Sequence, residues 1–325
     1  MDIVQTVVVD QTRPVIQKGF KRVAIFDFTQ ERETEMISDI KAVEGGTKLY
    51  DLLSVYFANG GKSIVVSGVK VEDAARDIPA LMSKVEEVNE YYLVTAVVPK
   101  ELQAEYYPEI VKYCNGNEKL SILESNGEPE DIIMAYSDLN TDRCVIYANK
   151  MDEQEGKAMA ALGACAPQDE GSITWGNVAI VGTGTSKYSL SEESQLIAKF
   201  INYITKTKGY ILTQFGRTLS GSHADITRSK DWLKNRCDES LTSLLVNNKK
   251  IAYTKDGLDK IKSTLEELGQ QAVDSGMLIS YEANTPKLEN IPVTDKQNRV
   301  LNGVEFVCKL AVSMETLNIS LIVVL

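Results

Sequence analysis

Paired cysteine, histidine and long apolar runs are what this chain of 325 residues lacks. Its five cysteines, Cys114, Cys144, Cys165, Cys237 and Cys308, are far apart, odd in number and never in a CxxC pair. That excludes a disulfide framework and a cysteine zinc site, and reads the thiols as free and buried. With His223 the only histidine, HExxH metal chemistry is impossible. The run Ser220-Gly221-Ser222-His223-Ala224-Asp225 is no triad either. Triad members converge from separate elements, and a serine nucleophile needs a strained GxSxG elbow. The many carboxylates form no pair with acid/base or metal-ligand spacing. No apolar run reaches the roughly 20 residues that span a bilayer. Asp2 and Gln5 stand where a signal peptide would be basic and then apolar. The expectation is a chain made and kept in a cytoplasm, with no membrane contact, no metal and no cofactor.

What is present is enough apolar residue, 43%, to build a sizeable core, and a length that points to two domains or one large one. Residues 22–28 (RVAIFDF) read as a buried strand. Strand patterns at 63–69, 91–98 and 143–148 then alternate with helical ones at 47–58, 71–89 and 100–113. Such alternation means an α/β domain with a largely parallel sheet. The acidic, Gly/Pro-containing stretches 124–131 and 167–171 read as exposed loops. A domain boundary is expected near Gly171.

Beyond it the chain is helical first and β last, giving α+β character overall. Ser189-x-x-Glu192 is a capping-box signature; Leu196, Ile197, Phe200, Ile201 and Ile204 follow on one face, with Gly209 as a stop. A second helix carries Trp232, Leu233, Cys237, Leu241, Leu244 and Leu245 on one side. A third follows Thr254 with Leu258, Ile261, Leu265, Leu268 and Ala272, ending at Gly276. Strands are expected at 304–312 and 317–324.

Net charge is -11, but the segment from Lys206 to Lys262 holds 12 Lys/Arg against 6 Asp/Glu. A basic island in an acidic chain wants an acidic partner. Nucleic acid is a poor candidate, because aromatics are not interleaved with the basic residues.

Two glycine clusters resemble phosphate cradles and fail on inspection. Gly60-Gly61-Lys62-Ser63 has Tyr56 where GxxxxGK[ST] needs glycine, and it lies after a helix and before a strand. Gly182-Thr183-Gly184-Thr185 is better placed, but Lys187 occupies the third glycine position of GxGxxG and no acidic residue follows at the ribose distance. An α/β nucleotide-binding enzyme using the Gly182–Gly184 turn is the alternative reading.

The two ends are apolar. Leu317, Ile319 and Leu321 alternate with Asn318 and Ser320, and Val323 continues an apolar run to Leu325. Ile3, Val7 and Val9 lie in a second β-prone segment, set off by Arg13-Pro14. Bare apolar strands are an aggregation hazard unless another strand pairs with them, so both segments ask for a partner.

From Gly171 onward the motifs accumulate. Gly171-Ser172-Ile173-Thr174-Trp175, Leu190-Ser191, Ile201-Asn202-Tyr203 and Thr213-Gln214-Phe215-Gly216-Arg217-Thr218-Leu219-Ser220-Gly221 come first. Asp225-Ile226, Asp231-Trp232-Leu233, Ser243-Leu244-Leu245-Val246-Asn247, Lys250-Ile251-Ala252-Tyr253-Thr254, Gly257 and Gly276-Met277-Leu278 follow. In order and spacing these resemble contractile phage tail sheath proteins, as do Gln11-Thr12, Gly19-Phe20 and Leu317-Asn318-Ile319 at the ends. Ala252 stands where the family usually has proline, and Ser222-His223 where it often has an acidic-aromatic pair.

The resemblance implies a non-enzymatic structural subunit built as an N-terminal exchange arm (1–20), an outer α/β domain (21–171), an inner sheath-core domain (172–312) and a C-terminal exchange arm (313–325). It implies hexameric rings stacked helically around a tail tube protein, bounded by baseplate and tail terminator proteins, and a sleeve that contracts to drive the tube through a cell envelope. Strand exchange would use Ile3, Val7, Val9, Leu317, Ile319, Leu321 and Val323. The tube would meet Arg228, Lys230, Lys234 and Arg236. The place implied is a virion tail or phage-tail-like particle, assembled in a host bacterial cytoplasm.

Overall fold

The computed structural model describes residues 19–150 and 154–315. They fall into two compact units, residues 19–231 with 312–315, and residues 232–311.

The first unit is built on strands that are apolar throughout. In β1 (Val23–Asp27) every residue is buried, the pattern of a strand covered on both faces. β2 (Arg32–Ile37) is polar and half-exposed. α1 (Lys48–Ala58) starts where the Thr47 hydroxyl accepts from Tyr50 N at 3.1 Å. β3 (Ile64–Gly68), α2 (Ala74–Val88, capped by Asp73), β4 (Leu93–Val97), α3 (Gln103–Gly116), β5 (Leu120–Asn126), α4 (Pro129–Tyr136), β6 (Cys144–Asn149) and α5 (Lys157–Cys165) follow.

The sheet order is β2-β3-β1-β4-β5-β6, parallel except for β2, which runs antiparallel to β3. α2 packs with α3 over the face that carries Ala24, Phe26 and Val94, where Ile78, Met82, Ile110 and Cys114 complete a core. α1 packs with α5, and Leu52, Ala158 and Met159 lie beside Ile25, which points the other way along the alternating strand. The sheet is thus doubly wound.

The chain beyond Gly171 does not leave this unit. α6 (Leu190–Ala198) carries the expected capping box. It ends at Ala198, not at Gly209, because Phe200 takes a φ of 59° and Asn202 pairs with the sheet. Ala148 N donates to Asn202 O at 2.7 Å, Asn202 N donates to Ile146 O at 2.9 Å, and Leu219 N donates to Cys144 O at 2.9 Å. These bonds close the outer edge of β6. Gly209 instead turns a hairpin between β7 (Ile204–Thr207) and β8 (Tyr210–Thr213). The compact units therefore divide at 231/232 and not near Gly171. The stretch 124–131 is not a loop either, for it holds the end of β5 and the start of α4.

α7 (Ala224–Asn247) begins eight residues earlier than its apolar stripe from Trp232 indicates. The second unit holds its later turns, α8 (Lys255–Asp274), β9 (Leu278–Asn284), α9 (Val293–Asn298) and β10 (Glu305–Leu310). The Thr254 hydroxyl caps α8 by accepting from Gly257 N, and Leu258, Leu265, Leu268 and Ala272 are its buried stripe, as expected.

Candidate assembly interface

In the second unit β9 and β10 form a two-stranded antiparallel sheet, with Phe306 opposite Ala283 and Cys308 opposite Tyr281. α8 packs on β9, and the Tyr281 ring lies so close over Gly269 that a Cβ there would stand 2.3 Å from it. One face of the little sheet is therefore covered. Along β10, Glu305, Val307 and Lys309 are exposed while Phe306, Cys308 and Leu310 are half-buried, and Ile279 on β9 is 59% exposed. Among the described residues neither β9 nor β10 has a strand on its outer edge. Each presents a row of backbone donors and acceptors to whatever strand can reach it.

The apolar segments read as exchange arms, with Ile3, Val7, Val9, Leu317, Ile319, Leu321 and Val323, lie outside the described residues. The expected basic surface is split. Arg228 is 1% exposed and is not a surface charge. Its guanidinium donates to the carbonyls of Phe20, Cys165, Ala166 and Gln168 at 3.0–3.3 Å and to Glu170 Oε1 at 3.1 Å. Lys230 and Lys234, one turn apart on α7, are exposed. Arg236 is half-buried, paired with Glu239 and 5.6 Å from the Trp232 ring centre. A guanidinium so engaged is a poor free charge.

Asp231, also on α7, accepts from Arg143 Nη1 and Nη2 (the latter at 2.9 Å) and from the Tyr92 hydroxyl at 2.6 Å. Burial, with the Asp231 carboxylate beside it, pushes the Tyr92 phenol well above its ordinary range. The early turns of α7 are thus anchors, and no periodicity in the sequence marks them.

The remaining motifs resolve structurally. Gly60 (φ 94°) and Gly61 end α1, and a Cβ on Gly61 would lie 2.3 Å from the Tyr56 ring. Gly182–Thr185 follows a short stretch bridged to β8 at Ala179 and Leu212, and the next helix starts only at Leu190. Neither is a strand–glycine–helix cradle. Ser220 donates to Asp142, while His223 Nδ1 lies 3.3 Å from Glu315 Oε1. Burial raises the thiols of Cys144 and Cys165 to about 12, which makes them unreactive. Among the described residues no group of three or more His, Cys, Asp or Glu could hold a metal ion, and no helix is long and apolar enough to cross a membrane.

A doubly wound α/β unit and a second unit with a small two-stranded sheet make a fold shared with solved proteins of contractile particles. The solved structures show this at the level of the whole chain. A chain of the anti-feeding prophage baseplate superposes with a TM-score of 0.73 at 12% identity, covering 99% of both chains. The contracted helical sheath of the same particle gives 0.72 at 13% identity, covering 98% of this chain and 97% of that one. The contracted PVC sheath, from an extracellular contractile injection system, gives 0.69 at 12% identity over 99% and 97%. Residues 224–313 match the family model described as E217 tail sheath protein gp31-like, C-terminal domain. No curated protein matches in sequence. Residues 224–313 are thus similar in sequence to a tail sheath C-terminal domain, and the whole chain shares the fold of proteins from contractile particles.

Proposed function

We propose that this chain polymerises by strand exchange into hexameric rings, stacked as a sleeve around a tail tube, and that the sleeve contracts without any catalysed reaction. The observation that carries the reading is the β9–β10 sheet. It lies within the segment that matches the sheath family and leaves both edges unpaired among the described residues. Two apolar, strand-patterned segments, around Ile3–Val9 and Leu317–Val323, are supplied by the same sequence. Strand addition to such an edge uses backbone hydrogen bonds for strength and alternate side chains for register. Lys230 and Lys234 face an acidic tube, and a baseplate and a terminator bound the sleeve. Contraction is a rigid-body repacking of subunits held together by their exchanged strands. The particle is a virion tail or phage-tail-like particle assembled in a bacterial cytoplasm.

Electron microscopy of the purified full-length protein tests this directly. Tubes with six-fold helical symmetry are the expected result; a protein that stays monomeric at high concentration, with or without a tail tube, sinks the reading.

A further inference from the structure

Between Leu310, where β10 ends, and residue 316 the chain returns to the first unit, and one residue there is held on three sides. The Thr174 hydroxyl donates to Glu315 Oε1 at 2.9 Å, Asn177 Nδ2 donates to Glu315 O at 2.9 Å, and His223 Nδ1 lies 3.3 Å from Glu315 Oε1. The Glu315 side chain is only 17% exposed. Its neighbours Val312 and Met314, by contrast, are 65% and 86% exposed. The grip is on one residue.

The cradle is rigid for local reasons. Trp175 is buried, and its carbonyl accepts from the Thr213 hydroxyl at 2.8 Å. Gly176 N donates to Thr174 Oγ1, and Asn177 sits at φ 59°, a left-handed conformation that asparagine tolerates. Gly176 also makes room, since a Cβ there would lie 3.0 Å from Glu315 Oε1 and 3.1 Å from the Phe215 carbonyl. The His223 main chain is held from two sides. Arg217 and His223 form a backbone bridge, and His223 O accepts from Thr227 N in the first turn of α7. A second carboxylate, Asp225, is near enough to feel the His223 and Glu315 charges, and its Oδ1 is buried without a hydrogen-bond partner.

We propose that Glu315 is the anchor that fixes where and in what direction the chain leaves the first unit ahead of residues 316–325, with Thr174, Asn177 and His223 as its socket. The partner is a second copy of this chain, because the segment so aimed is the one read above as an exchanged strand; the inference rests on that reading. Strand addition needs the segment at the neighbour's edge in one register. A fixed root restricts the search, whereas a loose root spreads the same segment over many geometries.

Chymotrypsin cleavage after Met314 in the full-length, unassembled protein tests the anchor, because an anchored bond is cut only after local opening. Thr174→Val removes one hydroxyl from the socket, and His223→Ala removes the imidazole. A hydrogen bond to a charged group contributes about 1.5–3 kcal/mol, so Thr174→Val is expected to raise the cleavage rate by about tenfold or more, and His223→Ala to raise it in the same direction. Thr174→Ser, which restores the donor, is expected to stay near wild type. Both loosened variants are then expected to assemble several-fold more slowly and into less regular tubes. Circular dichroism checks the fold, and the isosteric Thr174→Val carries the test if His223→Ala unfolds. Unchanged cleavage in Thr174→Val would overturn the anchor. Faster cleavage with wild-type tubes would overturn its role in assembly. A wild-type protein that forms no tubes would instead refute the sheath reading, and the cleavage rates would still decide whether Glu315 is anchored.

Discussion

The guanidinium of Arg228 lies 3.1 Å from the carboxylate of Glu170, and both side chains are buried, at 1% and 9% exposure. Around this pair the carbonyls of Phe20, Cys165, Ala166 and Gln168 accept from Arg228 Nη1 and Nη2. One side chain thus ties the start of α7 to the end of α5 and to the entry of β1. Removing one partner of a buried ion pair costs about 3–5 kcal/mol, because the other charge stays buried without compensation. Arg228→Met is therefore expected to lower unfolding stability by that amount in denaturant titration. Normal stability with weakened tube binding would return Arg228 to the surface.

Lys230 and Lys234 should behave in the opposite way. Reversing both charges is expected to leave stability within about 0.5 kcal/mol, as for other exposed sites. Binding to an acidic tail tube is expected to weaken, most at low salt, where rim charges govern encounter. Co-sedimentation with purified tube protein at low and high salt measures it. Equal binding by variant and wild type at low salt would move the tube contact elsewhere.

On the strand exchange proposed above, deleting residues 316–325 while keeping Glu315 is expected to leave a folded subunit that forms no tubes. Circular dichroism and sedimentation report the two properties separately. A lost folded spectrum would make the strand intramolecular.

The Glu124 carboxylate accepts from Gly156 N at 2.9 Å and Ala158 N at 3.3 Å, at the start of α5. Burial raises it to about 7, against the lowering pull of Lys157 and those two amides. The unfolded value is about 4.3, so between these values the native state holds the extra proton. Its contribution to stability is present below about pH 4.3 and lost as pH rises through about 7. The stability difference between wild type and Glu124→Gln is expected to shift against wild type over that window. Parallel pH profiles in denaturant titrations would show the carboxyl to be ionised throughout.

Gly61→Ala is expected to destabilise by about 1–3 kcal/mol, the usual cost of overpacking, since its Cβ would meet the Tyr56 ring. Lys62→Ala beside it should change little in thermal unfolding and nothing in assembly. A nucleotide-stabilised protein that loses the effect with Lys62→Ala would revive a phosphate site.

Much of the α/β unit was legible because buried parallel strands read as short apolar runs, as in residues 22–28 and 143–148. β5 was hidden by Glu124 and Ser125, whose polarity answers to the start of α5 and to Gln103, Tyr136 and the strand's neighbours. The helix read through to Gly209 kept its periodicity on paper, but Asn202 is claimed by β6, a tertiary contact invisible to a local window. β9 was missed because Leu278–Asn284 directly follows a helix exit at Gly276 and alternates only in part. For the interface, composition marked a basic segment, yet sign alone does not reveal burial. Arg228 and Lys230 differ by two positions and by opposite surroundings. The Glu315 socket has no local signature, because its members come from positions 174, 177 and 223.

The large sheet has two ends, and neither invites company. On one side Asn202 and Leu219 occupy the hydrogen-bonding groups of β6; on the other, β2 shows Glu33 and Glu35 to solvent, with the half-buried Arg32 paired to Glu35 at 3.2 Å. Charged edge strands resist indiscriminate pairing. At the concentrations a sleeve requires, six stacked strands with a free flank would be a route to disordered aggregates. With that flank muted, the small β9–β10 sheet is the one left with open edges among the described residues, and on the proposed strand exchange this keeps the valence of the subunit low and gives its polymer a defined direction.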